Sequence, residues 1–152
     1  MANTYTQLYV QIVFAVRGRD HVIQREHNAE LQKYMTGIVS HLGSKMIAIN
    51  NMPDHFHLLV GLKPATSVSE LAGKVKSGSS NFIQNQGWIA GRFEWQEGFG
   101  AFSYSRSQLS AVIRYIENQE NHHRRTTFRE EYVKFLKRFG VQYDERYLLG
   151  WT

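Results

Sequence analysis

Two short constellations carry residue types and spacings that could do chemistry. The first is His55-Phe56-His57, within Met52-Pro53-Asp54-His55-Phe56-His57-Leu58-Leu59-Val60. Successive side chains of a strand point to opposite faces. The two imidazoles therefore share one face, while Phe56, Leu58 and Val60 share the other and can enter a core. Neutral imidazole is a common metal ligand, and a stiff strand fixes its orientation. The second constellation is Tyr115-Ile116-Glu117-Asn118-Gln119. On a helix it puts a phenol and an amide carbonyl one turn apart on the same side. Two imidazoles and one amide oxygen are all neutral, so a divalent ion they held would keep its full charge. Such an ion polarises a phosphate oxygen and leaves positions open for substrate. The set suits Mg²⁺ or Mn²⁺, and imidazole favours Mn²⁺ of the two.

A tyrosine nucleophile has a cost. With a pKa near 10, forming phenolate at pH 7 takes about 4 kcal/mol, which a nearby cation or base must offset. The return is a covalent phosphotyrosine linkage that conserves a phosphodiester's energy, so a strand can be rejoined. Hydrolysis alone needs no such residue. Plainer readings stand beside these. A His-x-His pair can be ordinary surface, and Tyr115 is one of eight tyrosines. Tyr104 also has a glutamine four residues on, Gln108, but it precedes the predicted helix. His122 reads as a helix-end cation before a fourth ligand, and Asp54 as a turn residue before a ligand.

Around these residues the chain supplies the positioning elements. Residues 4–16 alternate, with Leu8, Val10, Ile12, Phe14 and Val16 on one face of a first strand. Residues 17–20 form a turn. Leu31, Tyr34, Met35, Ile38, Val39 and Leu42 recur at helical spacing before Gly43, which predicts a helix over about 24–42. Residues 45–50 form a second strand, residues 51–54 turn, and the His strand follows, giving an antiparallel hairpin. Ser67 and Glu70 have capping-box spacing ahead of a helix with Val68, Leu71, Val75 and Phe82 inward. The Ser77–Ser80 piece reads as part of that helix, because the apolar period continues through Phe82 and Ile83.

Residues 87–104 hold Trp88, Phe93, Trp95, Phe99, Phe102 and Tyr104 among glycines, a strand or two whose aromatics are assigned to core packing ahead of base stacking. Ser105 and Gln108 open a third helix with Leu109, Val112, Ile113 and Ile116 as its apolar stripe. Tyr115, Gln119 and His122 fall on a separate stripe roughly 110° round from it. Thr127 and Glu130 cap a last helix with Phe128, Tyr132, Phe135, Leu136 and Phe139 inward, closed by Gly140. This order is α+β and fits a ferredoxin-like antiparallel sheet with helices packed against it.

Bulk properties bound the function. A chain of 152 residues, 42% hydrophobic and 20% charged, is expected to be one globular domain spanning 1–152. No apolar run approaches the roughly 18 residues of a membrane span, and no basic stretch leads an apolar block at the N-terminus. Cysteine is absent, so thiolate metal sites and cysteine nucleophiles are excluded. The expectation is a cytoplasmic protein. The net charge is +5 and the pI about 9.6. Residues 61–125 carry eight Lys/Arg against five Asp/Glu. That excess suits a polyanion and nominates Lys74, Lys76, Arg92, Arg106, Arg114 and Arg124 as DNA contacts.

The paired motifs, His55-Phe56-His57 in DHFHLLV and Tyr115-x-x-x-Gln119 in YIENQ, resemble those of the single-tyrosine HUH (His-hydrophobic-His) transposases of bacterial and archaeal insertion sequences. The similarity runs from the first strand to the last helix and takes in FEWQEGFGAFSYS and NQENHH. The resemblance implies a ferredoxin-like core, a homodimer, and a divalent metal held by His55, His57 and Gln119. It implies that Tyr115 attacks single-stranded or hairpin DNA and leaves a 5′-phosphotyrosine during excision and insertion of a mobile element. It further implies that one subunit's tyrosine helix can complete the other subunit's site. Related enzymes acting on dispersed palindromic repeats share these motifs. Two other readings compete. One is a replication-initiator or relaxase-type nickase, against which the short chain counts. The other is a non-catalytic ferredoxin-like nucleic-acid binding module, which gives Gln119 no role.

Overall fold

The computed structural model describes residues 3–19 and 21–148. Four strands form one sheet: β1 (Tyr9–Ala15), β2 (Lys45–Met52), β3 (His55–Gly61) and β4 (Gly100–Tyr104). Their order is β2-β3-β1-β4, and every neighbouring pair is antiparallel. Helix α1 (Asn28–His41) joins β1 to β2, and α2 (Val68–Gln86) joins β3 to β4. This is the ferredoxin-like arrangement predicted from the alternation of strand and helix patterns. After β4 come α3 (Leu109–Glu117), α4 (Gln119–His122) and α5 (Phe128–Arg138).

Strand alternation sorts the core into two layers. Ile12, Phe14, Val16, Phe56, Leu58 and Val60 face α1 and α2, meeting Leu31, Met35, Leu71 and Val75. Val13, Ala15, Leu59 and Phe102 face the other way, toward Val112, Ile116, Phe128, Tyr132 and Phe135 of α3 and α5. His55 and His57 have the parity of Leu59, so they lie under α3–α5. Burying a fully apolar side chain contributes about 1.5–3 kcal/mol, and both layers bury several.

The Ser/Gly-rich piece of α2 is helical because Ser79 is an inner-face residue there. It is buried, and its hydroxyl accepts the Trp95 indole N–H at 3.0 Å. Trp95 packs edge-on to Phe14 and Phe93, each at 4.8 Å, so these aromatics are core. Ser67 caps α2 by accepting from the Glu70 N–H, and Thr127 caps α5 by accepting from the Glu130 N–H, both as the spacing predicts. Gly100 lacks a Cβ where the Tyr132 hydroxyl comes closest, and an added Cβ would stand 2.7 Å from it.

Three boundaries differ from the sequence expectation. β1 begins at Tyr9, because among the described residues before it the one backbone bond to the sheet is from Leu62 N–H to Leu8 O, and Leu8 is exposed. β2 runs on through Asn51 and Met52, which pair with Phe56 and His55, leaving only Pro53 and Asp54 in the turn. The first helix, expected over about 24–42, begins at Asn28, because Arg25–His27 form a separate 3-10 turn before it. Residues 87–104 hold one strand, β4, within the expected strand or two, and an isolated bridge between Val16 and Trp95.

Candidate active site

The third predicted helix is broken at Asn118 (φ −96°, ψ 20°), between Tyr115 and Gln119. The cause lies on β2. Asn50 Nδ2 donates to the Ile116 carbonyl at 2.9 Å and to that of Glu117 at 3.3 Å, capping α3 from the sheet. Gln119 opens α4 and is still buried, with its amide nitrogen 3.5 Å from the Tyr115 carbonyl. The expected shared orientation of Tyr115 and Gln119 survives, held by the sheet and a side chain instead of one continuous helix.

His55 and His57 are fully buried on the central strand β3. Asp54, in the hairpin turn, accepts from His55 Nδ1 at 2.6 Å. A carboxylate behind an imidazole fixes the ring and leaves the far nitrogen with its lone pair outward. His123, just after α4, donates from Nδ1 to the Thr126 carbonyl at 2.7 Å. A carbonyl only accepts, so His123 carries a proton on Nδ1, and Nε2 is the nitrogen it turns toward the group. The Nε2 atoms of His55 and His123 are 3.2 Å apart, and Gln119 Oε1 lies 3.4 Å from His55 Nε2. His57 is held differently. Gln11 Nε2 donates to its Nδ1 at 2.9 Å, while Gln11 Oε1 accepts from the Tyr104 hydroxyl at 2.7 Å.

Glu131 of α5 enters this group from above. Its Oε1 lies 3.0 Å from His57 Nε2, 3.1 Å from His123 Nε2 and 3.5 Å from His55 Nε2. Its Oε2 accepts from the Tyr115 hydroxyl and, at 3.1 Å, from Gln119 Nε2. His122 Nε2 is 3.3 Å from the Tyr115 hydroxyl, beside the phenol and outside the imidazole group. So His55, His57, Gln119 and Tyr115 lie together within this one chain. His123 and Glu131 join them unforeseen.

The electrostatics follow from burial of one carboxylate among imidazoles. Burial alone would raise the Glu131 pKa, but the His57 charge and the bonds from His123, His55 and His57 outweigh it and hold the carboxyl well below its ordinary range. Burial disfavours His55 as a cation, yet Asp54 and Glu131 together raise its pKa. For His57 burial wins, with help from the neighbouring His55 and His123, and the pKa is lowered. Tyr115 is pushed far up, by burial first and then by the charge and bond of Glu131.

The donor set fits a divalent cation. Nε2 of His55, His57 and His123 and one Glu131 oxygen all lie within 4.8 Å of one another. The closer pairs, at 3.0–3.5 Å, match the about 3.4 Å edge of a tetrahedron whose metal–ligand arms are about 2.0–2.1 Å. Imidazole nitrogens and a carboxylate oxygen converging on one point in a buried pocket need protons or a cation between them. The carboxylate also corrects the charge expected from neutral ligands alone: the site offers one anionic donor, which strengthens cation binding.

The nominated cations are scattered. Lys76 donates to the Gln96 and Gly98 carbonyls, and Arg92 pairs with Glu94, both with Lys74 on the α2 side of the sheet. Arg106, Arg114 and Arg124 are exposed on the side of α3 and α4. Two signals could have found these two residues. Glu131 is a carboxylate set in the inward stripe Phe128, Tyr132, Phe135, Leu136, and His123 stands one turn after Gln119.

Known proteins share this architecture. Over 120 residues the chain is 23% identical to the ISDra2 transposase TnpA of Deinococcus radiodurans, covering 76% of this chain and 86% of that one. A crystal structure of a transposase from Deinococcus radiodurans superposes with a TM-score of 0.61 at 22% identity, over 77% of this chain and 94% of that chain. The structure of a REP-associated tyrosine transposase bound to a REP hairpin gives 0.60 at 15% identity, over 80% and 72%. The profile of the family described as Transposase IS200 like matches residues 4–119, from the approach to β1 through Gln119. With the four-stranded sheet, the His pair and Tyr115 all inside that match, this chain belongs to the IS200-like transposase family.

Proposed function

We propose that this transposase cleaves and rejoins single-stranded DNA through Tyr115, with a divalent cation, Mn²⁺ or Mg²⁺, held beside it. The observation that carries the reading is the contact of one buried carboxylate, Glu131, with both the imidazole group and the Tyr115 hydroxyl. His55, His57, His123 and Glu131 are the residues that hold the ion, and three imidazoles favour Mn²⁺ over Mg²⁺. Gln119 orients Glu131 through Nε2 and offers Oε1 as a further ligand. When bound, the ion supplies Lewis-acid polarisation of the scissile phosphate.

The chain's own residues do the rest. The Tyr115 oxygen forms a bond to phosphorus as its proton passes to Glu131 or His122, the two acceptors in contact with it. The bond from phosphorus to the 3′ oxygen breaks, and that oxygen leaves as a hydroxyl by taking up the proton that Glu131 or His122 received. The product is a 5′-phosphotyrosine, and the reverse steps rejoin a strand.

A homodimer belongs to the reading. One chain brings Tyr115 and Glu131 into contact by itself. The decisive test is a denaturant-resistant adduct between the protein and a labelled single-stranded or hairpin oligonucleotide in the presence of Mn²⁺. An adduct that chelator abolishes is the expected result. A protein that binds DNA but never becomes linked to it would fit the non-catalytic module instead.

A further inference from the structure

Beside Tyr115 the structure opens a cleft of about 710 Å³ between α3 and α5. Its floor is aromatic, with Tyr104, Tyr115 and Phe135, and its α5 wall carries Lys134 and Arg138. Glu131, Lys134 and Arg138 follow one another at helical spacing, so one stripe of α5 runs from the imidazole group out along the cleft, about 10 Å in all. Among the described residues neither Lys134 nor Arg138 forms an ion pair. The comparable concavity on the α2 side, about 690 Å³, differs in this respect. There Arg17 and Arg92 pair with Glu94, and Lys76 is bound to backbone carbonyls. α5 lies wholly beyond residues 4–119, the part of the chain the family profile matches.

We infer that this cleft is the seat of the single-stranded DNA nucleotide adjoining the scissile phosphate, with its base on Tyr104 and Phe135 and its backbone phosphates against Lys134 and Arg138. An apolar floor suits a nucleotide when one wall carries two cations outside any ion pair among the described residues, Arg138 lying over the Phe139 ring at 5.7 Å: a flat base stacks without regard to sequence, and each phosphate needs a cation. Continuity with the Tyr115 hydroxyl fixes which nucleotide it is. α5 thus serves the site twice, placing Glu131 at the reacting end and gripping the strand at the other. The inference rests on Tyr115 as the nucleophile, and its test is run so that the two can fail separately.

The test uses the full chain carrying Tyr115→Phe, so that binding is read without chemistry, and a single-stranded thymidine oligonucleotide. Lys134→Gln with Arg138→Gln should flatten the log–log salt slope of binding by about 1.4, at about 0.7 for each phosphate that is no longer neutralised. Lys33→Gln with Lys45→Gln, the same charge change at exposed positions on α1 and β2, should leave the slope unchanged. Because the chain has no cysteine, Ala111→Cys in the cleft can carry a photo-crosslinker, with Lys33→Cys as the distant control. Strong crosslinking of the oligonucleotide at 111 and little at 33 is the expected result. Equal slopes for the two double variants, equal crosslinking at the two positions, or crosslinking at 111 to the chain's own C-terminal residues overturns the proposal. If the cleft crosslinks DNA but the wild-type chain forms no covalent adduct, the cleft stands and the nucleophile assignment falls.

Discussion

Asp54 and His55 are consecutive in the chain, yet their side chains meet at 2.6 Å, carboxylate oxygen to Nδ1. The contact points the other nitrogen of His55 into the group formed with His123, Gln119 and Glu131. A turn residue next to a strand residue is thereby the orienting partner of a metal-ligand candidate. Removing the charge while keeping the shape should loosen that ring. Asp54→Asn is expected to weaken Mn²⁺ binding by about 10–100-fold, read by titration calorimetry. An unchanged affinity would mean that His55 is not a ligand.

Tyr115→Phe keeps the ring and removes one oxygen. Glu131 Oε2 still accepts from Gln119, so stability should change by no more than about 1 kcal/mol. The covalent adduct should disappear. Tyr104→Phe makes a graded comparison, because its hydroxyl holds Gln11, which holds His57. Loading an ion requires His57 to release its Nε2 proton, and the Gln11 amide can turn over only because the Tyr104 oxygen both donates and accepts. The Tyr104→Phe protein should still form adduct, but at a higher Mn²⁺ concentration. Adduct formation by Tyr115→Phe would assign the nucleophile to another residue.

Glu131 is a buried anion facing three imidazoles, a phenol and an amide. Glu131→Ala strands all of these, and breaking such a buried network typically costs about 3–5 kcal/mol. Urea unfolding in chelator measures it. A loss under about 1 kcal/mol would show the carboxylate is not seated as described.

The same carboxylate sets an acid dependence. Its folded pKa lies below the ordinary 4.5, so its contribution is complete above about pH 4.5 and is lost as pH falls toward the folded value. Asp54, also lowered from 3.8, acts in the same direction. His55 has the opposite sign: its pKa is raised, so its contribution is present below about pH 6.5 and fades as pH rises through the folded value. In chelator, the acid limb of the stability curve should be steeper for wild type than for Glu131→Gln. Parallel limbs would contradict the assigned shift.

Cation binding to the folded chain alone should stabilise it. At a free Mn²⁺ concentration about a hundred times the Kd, the gain is about 2.7 kcal/mol. It should appear as a higher Tm that EDTA reverses, and it should shrink in His57→Ala. An identical shift in that variant would place the ion elsewhere.

Local chemistry along the chain determined much of this protein. Alternation in β1 and β3 set which residues face α1 and α2 and put His55 and His57 together on the opposite face. The capping pairs Ser67–Glu70 and Thr127–Glu130 marked where α2 and α5 begin, because a cap is a contact within one turn of helix. The motif spacing was enough to nominate Tyr115 and Gln119. What only the tertiary structure decided are contacts between residues far apart in the chain. Glu131 lies 74 residues from His57, Gln11 lies 46, and no periodicity relates them. Glu131 reads in sequence as one charge in a mixed stripe, and becomes the centre of the site only because α5 packs over the His face of the sheet. The break at Asn118 is of the same kind: the apolar period of α3 runs straight toward it, and it is Asn50 of β2, reaching across to two carbonyls, that ends the helix there.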